Sequence, residues 1–228
     1  MPTEMWPRFQ PVGDAALAVE FGETIDPEVN RRVMAFAQGL EQARLPGIGD
    51  IVPTYRSVLV HYDPLVLSYS AAVAWAQSQA APRSVAPAAA RRRIEIPTVY
   101  GGEHGPDLDF VAQAHGLSLE DVIRLHSRVD YTVYMMGFMP GFPYLGGLPL
   151  ELETPRLETP RTQVPAGSVG IAGKQTGIYP LDSPGGWRLI GRTSLRLFDV
   201  DLDPPALLAP GDLVRFVPIS SARGSNGA

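Results

Sequence analysis

Residues 131–192 constrain this chain more than any other stretch. The window opens with YTVYMMGFMPGFPYLGGLPL, twenty residues without a charge. Its 62 residues hold 11 of the 23 glycines and 8 of the 23 prolines, a density that by itself marks low-complexity disorder. The same window carries Tyr131, Tyr134, Phe138, Phe142, Tyr144, Tyr179 and Trp187. Disordered chains lack such rings because they bury little apolar surface. Glycine and proline here therefore fix turns between short strands and let backbone approach a ligand closely. The window reads as an ordered, loop-rich binding face on a β-scaffold. Its uncharged run is long enough to span a bilayer, but Pro140, Pro143, Pro149 and four glycines would leave backbone groups unsatisfied in lipid.

At 228 residues the chain holds one large or two small domains, and its 45% hydrophobic content supplies an ordinary core. A net charge of −5 argues against a nucleic-acid surface, and Arg91-Arg92-Arg93 is too short a basic run to change that. Without cysteine there is neither a disulfide framework nor thiolate chemistry. The opening MPTEMWPRFQPVGD shows no charged segment followed by an apolar one, so no secretory signal is expected. These features predict a soluble, cytoplasmic protein that binds neither nucleic acid nor membrane.

The first region alternates strand and helix signals. Ala15–Phe21 reads as a buried strand, and Asp26-Pro27 as a helix start with aspartate capping and proline at the first helical position. Val29, Val33, Phe36, Ala37 and Leu40 follow at helical spacing until Pro46-Gly47. Strands are predicted over 50–53 and 57–62 and a second helix over 70–81, which gives an α+β layer. The small, proline-punctuated stretch AAPRSVAPAAA at 80–90 reads as a linker. The expected division is an α+β domain over 1–84, a connection over 85–91, a second domain over 92–220 and a frayed tail over 221–228. In the second domain a strand over 93–99 precedes helices capped by Asp107 and Ser118. Short strands over 131–136, 168–172, 186–190, 194–198 and 212–218 then predict a barrel or sandwich.

Few residues carry obvious chemistry. Gly173-Lys174 lacks the upstream glycine and following hydroxyl of a phosphate loop, and QTGIYP after it is not a helix. Ala166-Gly167-Ser168-Val169-Gly170 approximates a nucleophile elbow, yet Pro165 precedes it and no helix follows, so a turn serine is the simpler reading. The four histidines show no metal spacing. His126, just before the uncharged window, is the one histidine held as a candidate proton carrier, against a structural role. Arg156 and Arg161 each follow Thr-Pro, and Arg192 follows the glycine-rich strand. A guanidinium fork on a restrained loop suits a carboxylate or phosphate, and equally suits capping of carbonyls. Gln175, Thr176 and Tyr179 add neutral donors and acceptors, and Trp187 is either core or a stacking wall.

Several long motifs resemble one family. They are VPTYRSVLVHYDP at 52–64, YGGEHGPDL at 100–108, LHS at 125–127, GFMPGFPYLGGL at 137–148, TPR-x-x-VPAGSVGIAG at 159–173 and QTGIYPLDSPGGWRLIGRT at 175–193. Together they resemble the 5-oxoprolinase B-subunit family, also known as allophanate hydrolase subunit 1 or the Kip-type histidine-kinase inhibitor. Small departures occur: Val99 where cysteine is common, His104 where phenylalanine is common, and Lys174 at a variable position. The resemblance implies an α+β N-terminal domain followed by a cyclophilin-like β-barrel C-terminal domain. It implies hydrolysis of 5-oxo-L-proline to L-glutamate, coupled to ATP, by a hetero-oligomer with subunits A and C. Alternatives are inhibition of a sensor histidine kinase, or a part in an allophanate- or urea-processing hydrolase. The residues expected to carry the chemistry are His126, Arg161 and Arg192 as catalytic groups. Tyr144, Gln175, Thr176, Tyr179, Gly185 and Trp187 are the expected substrate-binding groups. No metal is expected, and this chain alone is expected to be inactive.

Overall fold

The computed structural model describes residues 6–80 and 91–220. Chain contacts divide it into two compact units, Met1–Ala90 and Arg91–Ala228. Apart from Arg91, the expected connection over 85–91 lies outside the described residues, as does the expected tail over 221–228.

The first unit has strands β1 (Arg8–Val12) and β2 (Ala16–Glu20), helix α1 (Pro27–Gln42), strands β3 (Ile48–Pro53) and β4 (Ser57–Tyr62), and helix α2 (Tyr69–Gln79). The strands form an antiparallel sheet in the order β1-β2-β4-β3. Strand alternation puts Val58 and Val60 of β4 on the face that also presents Leu17 and Val19, and helical spacing brings Val33, Phe36 and Leu40 of α1 against them. Each such side chain contributes about 1.5–3 kcal/mol relative to exposure. Asp26 caps α1 as expected, its Oδ1 accepting from the backbone of Glu28 at 2.8 Å and Val29 at 3.2 Å. At the other end Trp75 Nε1 of α2 donates to the Ala43 carbonyl at 2.8 Å, which satisfies an orphan acceptor and locks the two helices together. The sequence reading misses β1, whose RFQPV carries Pro11; an edge strand tolerates proline because half its ladder faces solvent.

The second unit is built on a closed seven-stranded barrel. Its elements are β5 (Arg93–Tyr100), α3 (Leu108–His115), α4 (Leu119–Ser127), β6 (Tyr131–Met136), β7 (Pro143–Gly146), β8 (Arg161–Val164), β9 (Ser168–Ala172), β10 (Gln175–Ile178), β11 (Ser183–Gly185), β12 (Arg188–Arg192) and β13 (Leu213–Pro218). Around the barrel the order is β10-β7-β6-β13-β5-β12-β9, closed by the β9–β10 pair. All neighbours run antiparallel except β5 and β13. Strands β8 and β11 form a separate two-stranded sheet.

Closure removes sheet edges, so the interior fills with side chains: Ile96, Tyr131, Val133, Leu145, Ile171, Ile178, Ile190, Val214 and Phe216. The expected strands at 131–136, 168–172 and 212–218 correspond to β6, β9 and β13. The strand expected over 186–190 lies at 188–192. That expected over 194–198 is irregular, with only an isolated bridge from Phe198 to Ala206. No helix among the described residues is long and apolar enough to cross a membrane.

Candidate functional site

The residues singled out by sequence fall into four places in the second unit. Tyr144, Tyr179 and Trp187 come together around Phe142. The ring centroids of Phe142 lie 4.9 Å from Tyr144, 5.2 Å from Tyr179 and 5.5 Å from Trp187, all near edge-to-face. Gly185 lies directly under Tyr179: a β-carbon there would sit 2.4 Å from the phenol oxygen, so glycine lets the ring rest on backbone. Arg156 reaches over the Trp187 ring at 5.8 Å. Burial pushes the Tyr144 and Tyr179 hydroxyls above their ordinary range, so both remain neutral donors at physiological pH. Phe138 stands over this cluster, 62% exposed, and adopts a φ of 69°, a left-handed conformation rare for an aromatic residue. Gln175 stands at the start of β10 opposite Ala172, its amide nitrogen buried and without a partner among the described residues.

His126 and Thr176 lie inside the barrel instead. His126 on α4 is fully buried, 4.4 Å from the Phe216 ring. Its Nε2 is 2.9 Å from Thr176 Oγ1 and its Nδ1 is 2.7 Å from the Tyr100 hydroxyl. Thr176 already donates to the Gly170 carbonyl at 2.9 Å, so its oxygen accepts from His126 Nε2–H. That assigns the neutral tautomer, with Nδ1 accepting the Tyr100 proton. Burial holds the imidazole pKa down to about 3. A chain of hydrogen bonds thus ties α4 to β5, β10 and β9, and this geometry gives His126 a structural role rather than that of a proton carrier.

Arg161 is likewise occupied. Its Nη2 donates to Asp107 Oδ1 at 2.9 Å and its Nη1 to the Trp187 carbonyl at 3.4 Å. Asp107 is the residue that sequence reasoning misreads. It precedes α3 as an N-cap should, yet its side chain makes no capping bond. Its Oδ2 accepts from Leu189 N at 2.6 Å, and its own N–H donates to the Leu189 carbonyl at 2.8 Å. Asp107 therefore pairs with β12 as a strand residue would and carries Arg161 with it. Nothing local signals this, because the partners lie 54 and 82 residues away.

Arg192 occupies the fourth place, the barrel mouth where the end of β12 meets Val99 of β5 and Ser168 of β9. A cleft of about 640 Å³ opens there, lined in part by Gly167, Leu181, Arg192, Thr193, Ser194 and Phe198. The Nε of Arg192 donates to the Ala166 carbonyl at 2.8 Å. This turn is tight: Gly167 has a φ of +81°, and a β-carbon on it would lie 2.1 Å from the Thr193 carbonyl oxygen. Ser168, the candidate turn serine, is buried in β9.

Comparison with known proteins agrees with this architecture. Residues 7–208 match the family model described as "Carboxyltransferase domain, subdomain C and D". The chain is 44% identical over 223 residues to the B subunit of 5-oxoprolinase from Bacillus subtilis (strain 168), covering 93% of each. Among solved structures, that of TTHA0988 superposes with a TM-score of 0.80 at 42% identity, covering 90% of this chain and 40% of that longer one. The urea carboxylase of Kluyveromyces lactis shares the fold, with a TM-score of 0.77 at 23% identity, covering 98% of this chain and 23% of that chain.

Proposed function

The chain belongs to the 5-oxoprolinase B-subunit family, and from that premise we propose that it is the B subunit of an ATP-dependent 5-oxoprolinase. With subunits A and C it hydrolyses 5-oxo-L-proline to L-glutamate, and alone it turns over neither 5-oxoproline nor ATP. The observation that carries this reading is the match to the Bacillus subtilis protein over 93% of each chain, which spans both units.

The inventory of residues supports a shared site. A lactam amide is resonance-stabilised, and phosphorylation of its oxygen by ATP makes ring opening by water feasible. Such chemistry asks for groups that hold anions more than for a protein nucleophile. Ser168 is buried in a strand, His126 is sealed in the core, and Gly173-Lys174 leads into β10 rather than a helix. What remains is the Arg192 guanidinium at the barrel mouth and, in a separate place, the neutral donors Tyr144 and Tyr179. The longer chain of TTHA0988, of which this module covers 40%, further supports work beside additional sequence.

The exposed Phe138 is the expected anchor for the C subunit. A strained, solvent-facing aromatic persists only where the surroundings hold it, and large exposed rings favour interfaces. Replacing it with aspartate suits the left-handed backbone better, so the fold is expected to keep its melting temperature while co-purification of the C subunit is lost. Retention of the complex by Phe138→Asp removes the anchor. Robust 5-oxoproline or ATP turnover by the purified single chain refutes the division of labour.

A further inference from the structure

We propose that the cleft at the barrel mouth is a binding site for a small carboxylate, with Arg192 as its principal ligand; for the reaction above, which this assignment presupposes, that carboxylate is the one on 5-oxoproline. The cleft has the size of a ligand pocket. Its lining carries cations, and the two carboxylates beside it are engaged, Asp182 by the Ala166 N–H and Asp199 by Arg196. Arg192 and Arg196 are both among its lining residues, and among the described residues no aspartate or glutamate lines it, in a chain whose net charge is −5.

The two arginines are not equivalent. Arg196 is exposed and already paired with Asp199 at 2.7 Å. Arg192 is half-buried, and among the described residues no carboxylate lies within ion-pair distance of it. Its hydrogen bond from Nε to the Ala166 carbonyl fixes the plane of the guanidinium and leaves both terminal nitrogens without a protein partner among the described residues. A guanidinium held by one edge, with the other edge open to a cleft, is set for two parallel hydrogen bonds to a carboxylate. Pre-orientation by the rigid Gly167 turn lowers the entropy lost on binding. Ser194 is also among the lining residues, and Val99, Pro180, Leu195, Phe198 and Ile219 supply apolar walls suited to the methylenes of a small ring. Arg161 fails the same test, because its nitrogens are spent on Asp107 and Trp187.

The test begins with the isolated full chain. Titration followed by NMR should show binding of 5-oxo-L-proline and none of 2-pyrrolidinone, the same lactam without the carboxylate. Arg192→Gln should weaken 5-oxoproline binding by about tenfold or more, as expected for loss of a charge-assisted pair, with the melting temperature unchanged. Leu181→Trp, which fills the cleft from its exposed rim, should block binding without touching Arg192. Equal binding of both lactams, wild-type affinity in Arg192→Gln, or tighter binding of inorganic phosphate than of 5-oxoproline would each overturn the assignment. In the reconstituted complex Arg192→Gln should raise KM for 5-oxoproline. Turnover with unaltered KM and kcat defeats the cleft while leaving the assignment of the chain to the complex intact. Carboxylate-selective binding without turnover by the complex does the reverse.

Discussion

Between pH 7 and pH 5 the barrel is expected to lose roughly 2 kcal/mol of stability through His126 alone. The imidazole is neutral in the folded protein, and burial holds its pKa at about 3 against an ordinary value of 6.5. Above pH 6.5 both folded and unfolded chains carry it neutral, so it contributes no pH dependence there. Between 6.5 and about 3 the unfolded chain takes up the proton and the folded chain does not, so stability falls with pH across that window. Protonation in place would turn Nδ1 into a donor facing the Tyr100 hydroxyl, which now donates to it, and would charge a ring packed on Phe216. Denaturant unfolding of wild type and His126→Gln at pH 7 and pH 5 measures the effect. Glutamine retains a donor and an acceptor but does not titrate, so its pH dependence should be smaller by about that amount. Equal slopes in the two proteins assign the pH dependence to other groups. Truncation to alanine removes both hydrogen bonds and leaves a cavity, for an expected loss of about 3–5 kcal/mol.

The Asp107 clamp carries the other large effect. Asp107→Ala is expected to destabilise the second unit by about 3 kcal/mol, because it strands the Leu189 N–H and removes the anion that Arg161 faces. Arg161→Lys keeps the charge but loses the fork, for about 1–2 kcal/mol. Arg192→Lys should leave the melting temperature near wild type, since its bond to the Ala166 carbonyl is one that lysine also reaches. Thermal unfolding of the three variants separates the two arginines: Arg161 is expected to hold the fold and Arg192 to contribute little to it. Should Arg161→Lys melt at the wild-type temperature and Arg192→Lys melt well below it, the assignment is inverted.

Where structure follows from local chemistry, the sequence announces it. Asp26-Pro27 and Ser118 start helices as their capping side chains require, with Ser118 Oγ accepting from Asp121 N at 3.1 Å. The apolar spacing of Val33, Phe36 and Leu40 marks the buried face of α1. Strands β6, β9 and β13 are long enough to show themselves. Strands β7, β8, β10 and β11 have three or four residues each, most of them with glycine or proline, and no alternation survives at that length.

The candidate site divides the same way. The aromatic richness of the window and the position of Arg192 at the end of a glycine-containing strand are read from the sequence, whereas the grouping of Tyr144, Tyr179 and Trp187 around Phe142 is seen only in the fold. That His126 points into the core, or that Asp107 abandons its cap for β12, depends on residues far away in sequence. Arg161 and Arg192 look alike in the chain, each at the edge of a Gly/Pro-fixed loop. Only the carboxylate 54 residues from Arg161 separates their roles.

An omission assay tests the place of this chain in the complex most directly. Subunits A and C from the same source are mixed with 5-oxo-L-proline and ATP, with and without this chain, and glutamate is measured. Glutamate is expected to form only when this chain is present, with ATP consumed in step. Undiminished glutamate formation without it would contradict the assignment.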